Sequence, residues 1–340
     1  MNSPLDTVTP ETSAVYLFSE ALGYLRAAAL RSVAVLGIAD RLGDDARPVE
    51  QLAEETGADV EFLRRVLRLL VKRGIFHEDA EGRFALAPLG QALRTDSRSS
   101  AAWGIRMVTM NHAWHSAFDL VECVRSGRSA AETLFDRSYF QFIEGDRAEA
   151  DLFHRGMASL SAAARRLALE SYRFPETGVV VDVGGATGGF LRDILLTSPG
   201  LRGVLFDRDH VVPGAVPEGV GADRWSEVAG DFFESVPSGG DVYVLCYVLH
   251  DWNDEDCVRI LRTVRAAMET GARLAVFESV VLPERDADDV QMMDVMMLMM
   301  QSGRERTADE FGVLFEKSGF RLERVVPAQG VLAVVEAVAV

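Results

Sequence analysis

The spacing of apolar residues divides the chain into a mostly helical first half and a second half in which strands and helices alternate. Up to about residue 172, apolar side chains recur every three or four positions over long stretches, as they do in amphipathic helices. Beyond that point, short valine-rich runs alternate with helical stretches, which is typical of a parallel sheet covered by helices. The pattern therefore predicts an α/β domain that follows a helical N-terminal region.

The helical half is predicted to begin with a helix pair that runs from Ala14 to about Leu42, after a loose tail over residues 1–13. These helices are more apolar than a lone surface helix requires. Either a contact with a second subunit or a monomeric core would account for the excess. We favour the subunit contact, so a homodimer is predicted.

A winged-helix pattern follows the helix pair. Residues 48–56 and 60–73 predict two helices joined by a turn, and residues 74–86 alternate as a β-hairpin does. Such a unit binds DNA in many proteins, but the first 100 residues carry 12 basic and 15 acidic side chains. Because this local charge is negative, we expect no nucleic acid partner.

The predicted elements divide the chain into three parts. A winged-helix-like dimerisation domain covers residues 1–98, a helical connector covers 99–172, and an α/β domain covers 173–340. The last two strands, 319–327 and 331–340, are predicted to form an antiparallel hairpin at the sheet edge.

Composition narrows the class of protein. Hydrophobic residues make up 48% of a chain that has no apolar run of the ~18–20 residues a membrane span requires, so no membrane partner is expected. The first residues lack the basic start and apolar core of a signal peptide, and the three cysteines form no CxxC pair. A cytoplasmic location without a zinc site is therefore predicted. The net charge of −17 also disfavours nucleic acid.

A glycine-rich turn lies at the start of the α/β half. A β-branched run ends at Val183, and the glycines Gly184, Gly185, Gly188 and Gly189 precede a helical stretch. A strand, loop and helix in this order can bring a nucleotide-like ligand to a helix N-terminus, although ordinary β–α turns are also glycine-rich. Asp182, just before the glycines, is poorly placed for a pyrophosphate. It suits a ligand that carries an ammonium and a sulfonium group.

Acidic residues also follow the next two predicted strands. Asp207 ends the second strand, at the position where a carboxylate can accept hydrogen bonds from both ribose hydroxyls of an adenosine ligand. The third strand is predicted to end at 230–233, where Asp231 would accept from the adenine amino group and Phe232 would cover the ring.

His250, Glu278 and Glu305 each lie just past a predicted strand or in a turn, so they should converge at the carboxyl edge of the sheet. A histidine flanked by two carboxylates can act as a general base. With pKa values of about 10 for a phenol and about 6.5 for a free histidine, the proton transfer costs about 4.8 kcal/mol, and nearby carboxylates reduce this gap. The alternative is a structural histidine at a helix cap with two surface glutamates.

Two motifs carry a family resemblance. The stretch from Val179 to Phe190 resembles the first motif of S-adenosylmethionine (SAM)-dependent methyltransferases, with Ala186 where that family usually has a glycine. Residues 249–255, Leu-His-Asp-Trp-Asn-Asp-Glu, resemble the LHDW motif of plant-type and bacterial small-molecule O-methyltransferases. The resemblance extends from about residue 14 to residue 340.

The resemblance implies a winged-helix-like dimerisation domain followed by a Rossmann-like class I SAM domain. It implies that His250 is the base and that Glu278 and Glu305 flank it, without a metal ion. Ser302 stands where the family usually has a glycine. Cys246 departs from plant members, which often have a lysine there that helps to hold the adenine end of SAM.

The resemblance also assigns binding residues. Phe153 and Met157 match pocket-lining residues, and Ser161 matches a contact to the methionine carboxylate of SAM. We add Trp252 and Met297 to the predicted substrate pocket. Met297 is one of six methionines in a predicted helix over 290–300, and methionines can line adaptable aromatic pockets, although packing alone accounts for at least half of the six. The predicted SAM-binding residues are Ser161, Asp182, Gly184, Gly185, Asp207, Asp231 and Phe232.

Together these features predict a SAM-dependent O-methyltransferase. It would methylate a phenolic or similar hydroxyl of a small aromatic secondary metabolite and release S-adenosylhomocysteine (SAH). Two alternatives stay open: a SAM-bound family member that performs hydroxylation or decarboxylation, and a winged-helix regulator that senses SAM. The retained His250 argues against the first, and the negative N-terminal domain argues against the second.

Overall fold

The computed structural model describes residues 9–97, 99–136, 139–282, 288–301 and 303–340. Ser302, the expected departure from the family pattern, lies outside the described residues. The chain forms two compact units. The first unit consists of the chain up to Trp114 with Ala148–Leu160, and the second consists of His115–Arg147 with Ser161–Val340.

The helices are, in chain order, α1 (Pro10–Ala21), α2 (Gly23–Val35), α3 (Ile38–Leu42), α4 (Val49–Thr56), α5 (Val60–Val71), α6 (Ala102–Val108), α7 (Asn111–Phe118), α8 (Leu120–Ser126), α9 (Ala130–Phe135), α10 (Tyr139–Ile143), α11 (Arg147–Ser171), α12 (Gly189–Thr197), α13 (Asp254–Ala267), α14 (Asp289–Met300) and α15 (Ala308–Glu316). The strands are β1 (Arg47–Pro48), β2 (Phe76–Glu78), β3 (Arg83–Leu86), β4 (Gly178–Val183), β5 (Leu201–Asp207), β6 (Trp225–Ala229), β7 (Val242–Cys246), β8 (Arg273–Val281), β9 (Arg306–Thr307), β10 (Phe320–Pro327) and β11 (Leu332–Ala339). Short 3₁₀ turns lie at Pro88–Leu93, Ala222–Arg224 and Leu249–Asp251. Within the described ranges, no helix is long and apolar enough to cross a membrane.

The first unit holds the predicted helices and hairpin with three differences. α1 begins at Pro10, within the predicted tail, and β1 adds a third strand to the hairpin by pairing with β3. The predicted helix pair is three helices, because the chain turns at Leu22 and again at Gly37, whose φ of +61° is a left-handed conformation that favours glycine. α4, α5 and the β2–β3 hairpin lie where the sequence pattern placed them. Asp59 caps α5 by accepting a hydrogen bond from the Phe62 amide at 3.0 Å.

The second unit is built on one sheet with the strand order β10-β11-β8-β7-β4-β5-β6. Strands β8, β7, β4, β5 and β6 pair in parallel, and β10 and β11 form the predicted antiparallel hairpin at one edge. After β4, the chain adds β5 and then β6 on one side of β4 in the sheet. It then crosses over and adds β7 on the other side of β4. The strand order therefore reverses between β4 and β7, which is where open α/β sheets bind ligands.

Alternate residues of β4 face opposite sides of the sheet. Val181 and Val183 pack into a core with α13 and α15, whereas Val180 packs into a second core with α12 and the end of α11. Burial on both faces explains the nearly continuous apolar run that predicted this strand. By the same alternation, Asp182 shares the face of Val180 and points toward α12.

Three boundaries differ from the sequence prediction. β6 ends at Ala229, so Asp231 and Phe232 lie in the turn after the strand and not at its end. β8 continues past Glu278 to Val281, because its pairing with β11 and β9 extends the ladder, and Glu278 therefore lies inside a strand. The connector was expected to be helical over 100–125 and 140–172 with a loop between them, but this segment contains α9, which begins where the Ser129 hydroxyl accepts a hydrogen bond from the Glu132 amide.

Candidate active site

The glycine-rich turn connects β4 to α12 through several left-handed residues. Gly184 and Gly188 have φ values of +72° and +78°, and Ala186 has φ +52°, which costs a non-glycine residue about 1 kcal/mol. A side chain on Gly185 would stand 2.5 Å from a carboxyl oxygen of Asp182. Only glycine allows the backbone to come this close, and the turn leaves the α12 amide groups facing the carboxyl edge of the sheet.

Asp182 is buried beneath this turn with 1% of its surface exposed. The Leu191 amide faces it, but among the described residues neither carboxyl oxygen has a hydrogen bond of normal geometry. Burial raises the pKa of Asp182 to about 7, the nearby Arg165 opposes this rise, and Asp207 adds to it. A buried carboxylate without a hydrogen-bond donor favours a bound cation.

Asp207 is oriented before any ligand binds. Its two carboxyl oxygens accept hydrogen bonds from the Ala186 amide at 2.8 Å and the Arg208 amide at 2.7 Å. The ring of Phe232 lies next to Gly184: its Cε1 atom is 3.6 Å from the position that a Cβ atom on Gly184 would occupy. Asp231, one residue earlier, accepts a hydrogen bond from the backbone of its own turn at 2.8 Å. The turns after β4, β5 and β6 thus bring the predicted adenosine-binding residues to one edge.

His250 lies in the 3₁₀ turn that follows β7, and the structure brings both predicted glutamates to it. Its Nδ1 lies 2.9 Å from Oε1 of Glu305 and 3.8 Å from Oε2 of Glu278, and its Nε2 lies 3.6 Å from Oδ1 of Asp251. All three predicted residues are buried, so the glutamates are not surface residues. The hydrogen bond to Glu305 assigns the donor proton to Nδ1, which leaves Nε2 as the acceptor.

The charges around His250 control its proton affinity. Burial alone would lower the pKa of the imidazole, but the charges of Glu278 and Asp251 and the hydrogen bond that Nδ1 donates to Glu305 together raise this pKa well above its usual value. Burial also raises the pKa of Glu278, and the charge of His250 opposes this rise. The imidazole is therefore a stronger proton acceptor than a free histidine.

Glu278 has a second role that the sequence pattern did not indicate. Its Oε1 accepts hydrogen bonds from the Val248 and Leu249 amides at 2.9 and 2.8 Å. Glu278 therefore holds the backbone of the 3₁₀ turn Leu249–Asp251, which we call the histidine turn. The Glu305 amide in turn donates to Asp294 at 2.8 Å. The three ligand atoms would also lie close enough for a metal ion, but an ion would have to replace the hydrogen bond between His250 and Glu305.

Arg306 supports the same turn from the other side. It is 1% exposed and donates hydrogen bonds to the carbonyl oxygens of Leu249 at 3.0 Å and Trp252 at 2.8 Å. It also pairs with Asp254 at 2.8 Å. The sequence did not indicate this role of Arg306, because its partners lie more than 50 positions earlier in the chain. The one feature that could have pointed to Arg306 is its position next to Glu305.

The predicted substrate-pocket residues fall in both units. Trp252 packs edge-to-face against Phe233, with ring centroids 4.8 Å apart, and Met297 is buried on α14 in the second unit. Phe153 and Met157 lie on the part of α11 that belongs to the first unit. Their assignment to a substrate pocket stays a prediction.

Two parts of the chain match known sequence families. Residues 18–96 match the O-methyltransferase dimerisation domain, and residues 117–321 match the O-methyltransferase domain.

Individual relatives agree with these matches over nearly their full length. A phenazine O-methyltransferase of Lysobacter antibioticus is 38% identical over 93% of this chain and 93% of its own length. A mitomycin biosynthesis 6-O-methyltransferase of Streptomyces lavendulae is 36% identical over 90% of this chain and 88% of its own. A methyltransferase of calicheamicin biosynthesis, solved in an SAH-bound form, superimposes with a TM-score of 0.89 and 41% identity, covering 98% of this chain and 100% of its own.

Proposed function

The chain belongs to the O-methyltransferase family, and from that premise we propose that it methylates a phenolic or similar hydroxyl of an aromatic secondary metabolite, with His250 as the general base. Membership of this family establishes the general activity: the chain is a SAM-dependent O-methyltransferase of secondary-metabolite pathways. The relative named for phenazine, an aromatic ring system, supports an aromatic acceptor.

The observation that carries the proposal is the orientation of the buried imidazole. Nδ1 donates to Glu305, so Nε2 is the nitrogen that can receive a proton. The surrounding carboxylates stabilise the imidazolium that forms, which lowers the cost of taking a proton from a phenol. His250 and Glu305 thus act together as an acceptor and its orienting group.

The reaction joins the substrate oxygen to the methyl carbon of SAM while the bond from that carbon to sulfur breaks. The electron pair of that bond stays on sulfur, so SAH leaves uncharged at this atom. His250 Nε2 takes the hydroxyl proton, and the glutamates keep the imidazole in place. The base must be neutral at the start of each turnover, so its raised pKa makes the rate depend on pH.

The glycine-rich turn fits SAM in several respects. We assign the ribose to Asp207, the adenine to Asp231 and Phe232, and the methionine end to the space beside Gly184, Gly185, Asp182 and Ser161. The preformed hydrogen bonds of Asp207 and the unsatisfied oxygens of Asp182 support this placement.

The match to a dimerisation domain implies a homodimer. The helix α1 has no buried residue, and Val15, Leu17 and Phe18 are 70%, 65% and 71% exposed. Apolar side chains in such numbers on one helix support burial against a second copy. We propose that residues 1–98 form this dimerisation domain and that 99–172 connect it to the catalytic domain over 173–340.

The test is methyl transfer from SAM with a ¹³C-labelled methyl group to a panel of phenols and related alcohols. NMR of the products should show the label on oxygen, at the chemical shift of a methoxy carbon. Label on carbon or nitrogen, or a hydroxylated or decarboxylated product without label, would contradict the proposal. Asp209→Asn, which changes an exposed acid after β5, serves as a matched control and should retain full activity.

A further inference from the structure

Arg165 lies against the glycine-rich turn, and its side chain forms no hydrogen bond or ion pair with the residues that the structure describes. It is on α11, one helical turn after Ser161, so the two side chains share a face of that helix. Its Nη2 stands 3.4 Å from the place where a side chain on Gly189 would begin. Its Nε is fully buried, and none of the residues in the described ranges accepts a hydrogen bond from it.

Asp182 faces the same space with the opposite charge. Its carboxyl oxygens have no hydrogen bond of normal geometry, and its side chain points to the side of the sheet covered by α12 and the end of α11. The Arg165 guanidinium is near enough to oppose the rise that burial causes in the pKa of Asp182. The two groups nevertheless form no ion pair within the described part of the chain.

An unpaired buried anion next to an unpaired cation favours a ligand that carries both charges. A phosphate would satisfy Arg165, but Asp182 would repel it. A simple cation would satisfy Asp182 but would leave the guanidinium unpaired. The α-amino acid end of SAM is a zwitterion, with an ammonium for the aspartate and a carboxylate for the arginine.

We propose that Arg165 binds the methionine carboxylate of SAM and SAH through charge-assisted hydrogen bonds, with Ser161 one turn earlier on the same helix. This inference rests on the proposed placement of SAM at the glycine-rich turn. It names a residue that neither the motif nor the family resemblance assigned.

Calorimetric titration of two ligands isolates this interaction. SAH has the carboxylate, whereas S-adenosyl-3-thiopropylamine keeps the adenosine, sulfur and ammonium but lacks it. Wild-type protein should bind SAH at least about tenfold more tightly than the amine. In Arg165→Gln the two ligands should bind equally, because SAH loses affinity and the amine does not.

Matched variants separate this effect from others. Arg165→Lys should keep part of the preference for SAH, since it keeps the charge but loses the planar fork of the guanidinium. Arg173→Gln removes an equal charge from an exposed position just past α11 and should leave both affinities unchanged.

Two outcomes would overturn the inference. One is equal weakening of both ligands in Arg165→Gln, which would mean that the arginine only supports the turn. The other is wild-type protein without preference for SAH over the amine, a measurement that does not depend on a variant's folding. If wild-type protein bound neither ligand, the proposed SAM site itself would fail together with this inference, whereas loss of preference alone would leave the site intact.

Discussion

His112 and His250 are both buried, but their surroundings change their proton affinities in opposite directions. Burial lowers the pKa of His112 to about 4, with Glu149 no closer than 3.7 Å. At His250 the carboxylates of Glu278, Asp251 and Glu305 outweigh burial and raise the pKa. Burial excludes water from both sites, and the carboxylates make only His250 suitable as a base.

The first prediction at this scale is that His250→Gln lowers kcat by roughly 10²–10⁴-fold, because a positioned general base contributes about that much. The affinity for SAM should change little, since glutamine keeps the size of the side chain and the residues that we propose to bind SAM lie on other turns. Single-turnover kinetics and calorimetry measure the two quantities. Full kcat in a folded His250→Gln protein would make His250 a structural residue. Glu278→Gln and Glu305→Gln should have smaller effects.

The pH profile provides a second prediction. Protonated imidazole cannot accept the phenolic proton, so the rate should fall as pH drops through the pKa of His250. Since the carboxylates raise this pKa above the usual ~6.5, the rate should still be increasing above neutral pH. His250→Gln should lose this dependence, and a more acidic phenol should recover part of its rate. An unchanged profile in the variant would contradict the base assignment.

The third prediction concerns Asp207. Replacement by alanine removes a charged acceptor for the ribose hydroxyls and should weaken SAM and SAH by about 1.5–3 kcal/mol. Asp207→Asn keeps one acceptor oxygen and should lose less. Calorimetry on both variants measures the difference. If wild type and Asp207→Ala bound SAM with equal affinity, Asp207 would not be part of the SAM site. NADH should bind to neither the wild type nor the two variants.

The sequence identified the residues that follow strands but not those that reach the site from elsewhere. His250 and Asp207 could be predicted because parallel strands end at one edge of the sheet. Arg165 and Arg306 could not be predicted, because an upstream helix and the downstream strand β9 supply them. No periodic pattern in the sequence connects these positions to the site. Asp251 was passed over because its neighbour His250 explained the motif.

At the scale of elements, the histidine turn is held from two strands. Glu278 in β8 binds its amide groups, and Arg306 in β9 binds the carbonyl groups of Leu249 and Trp252. β8 and β9 pair with each other, with Val280 opposite Arg306, so the two supports form one rigid unit. The position of the imidazole therefore depends on a strand pair and not on the turn alone.

The fourth prediction follows from this support. Arg306→Gln should lower kcat by about tenfold to hundredfold, because small displacements of a catalytic group are costly, while SAH affinity changes by less than about twofold. Arg306→Lys should restore part of the rate. Arg304→Gln is the matched control: this neighbour is 43% exposed and pairs with the same Asp254. Equal losses in Arg306→Gln and Arg304→Gln, measured as kcat and melting temperature, would contradict the positioning role.

Elements were predicted best where the local pattern was strong. β4 and the β10–β11 hairpin appear as expected, since the alternation and burial that predict them act locally. The end of β8 was missed because pairing with β11 and β9 lengthens it, and such pairing has no signature in the strand itself. The helix α9 was missed because its composition resembles that of a loop.

At the scale of the whole molecule, most of the exposed apolar surface of the first helix has no explanation within one chain. Tyr16, Phe18 and Leu22 are 57%, 71% and 51% exposed, although the chain is strongly acidic elsewhere, with a net charge of −17. Net repulsion between two such chains disfavours association. A dimer therefore requires an apolar contact large enough to exceed that repulsion, and its stability should increase with salt, which screens the charge.

The fifth prediction tests this contact in the full-length chain. Light scattering of wild-type protein should give twice the chain mass of 37.2 kDa. Phe18→Glu places a charge on the apolar face of α1, so it should shift the protein toward the monomer, most strongly at low salt, where the screening of like charges is weakest. Val313→Glu makes the same change at a 50% exposed position on α15 and should leave the dimer intact. If Phe18→Glu stayed dimeric at low protein concentration, α1 would not form the contact. If wild-type protein itself were monomeric, the exposed face would need a different partner.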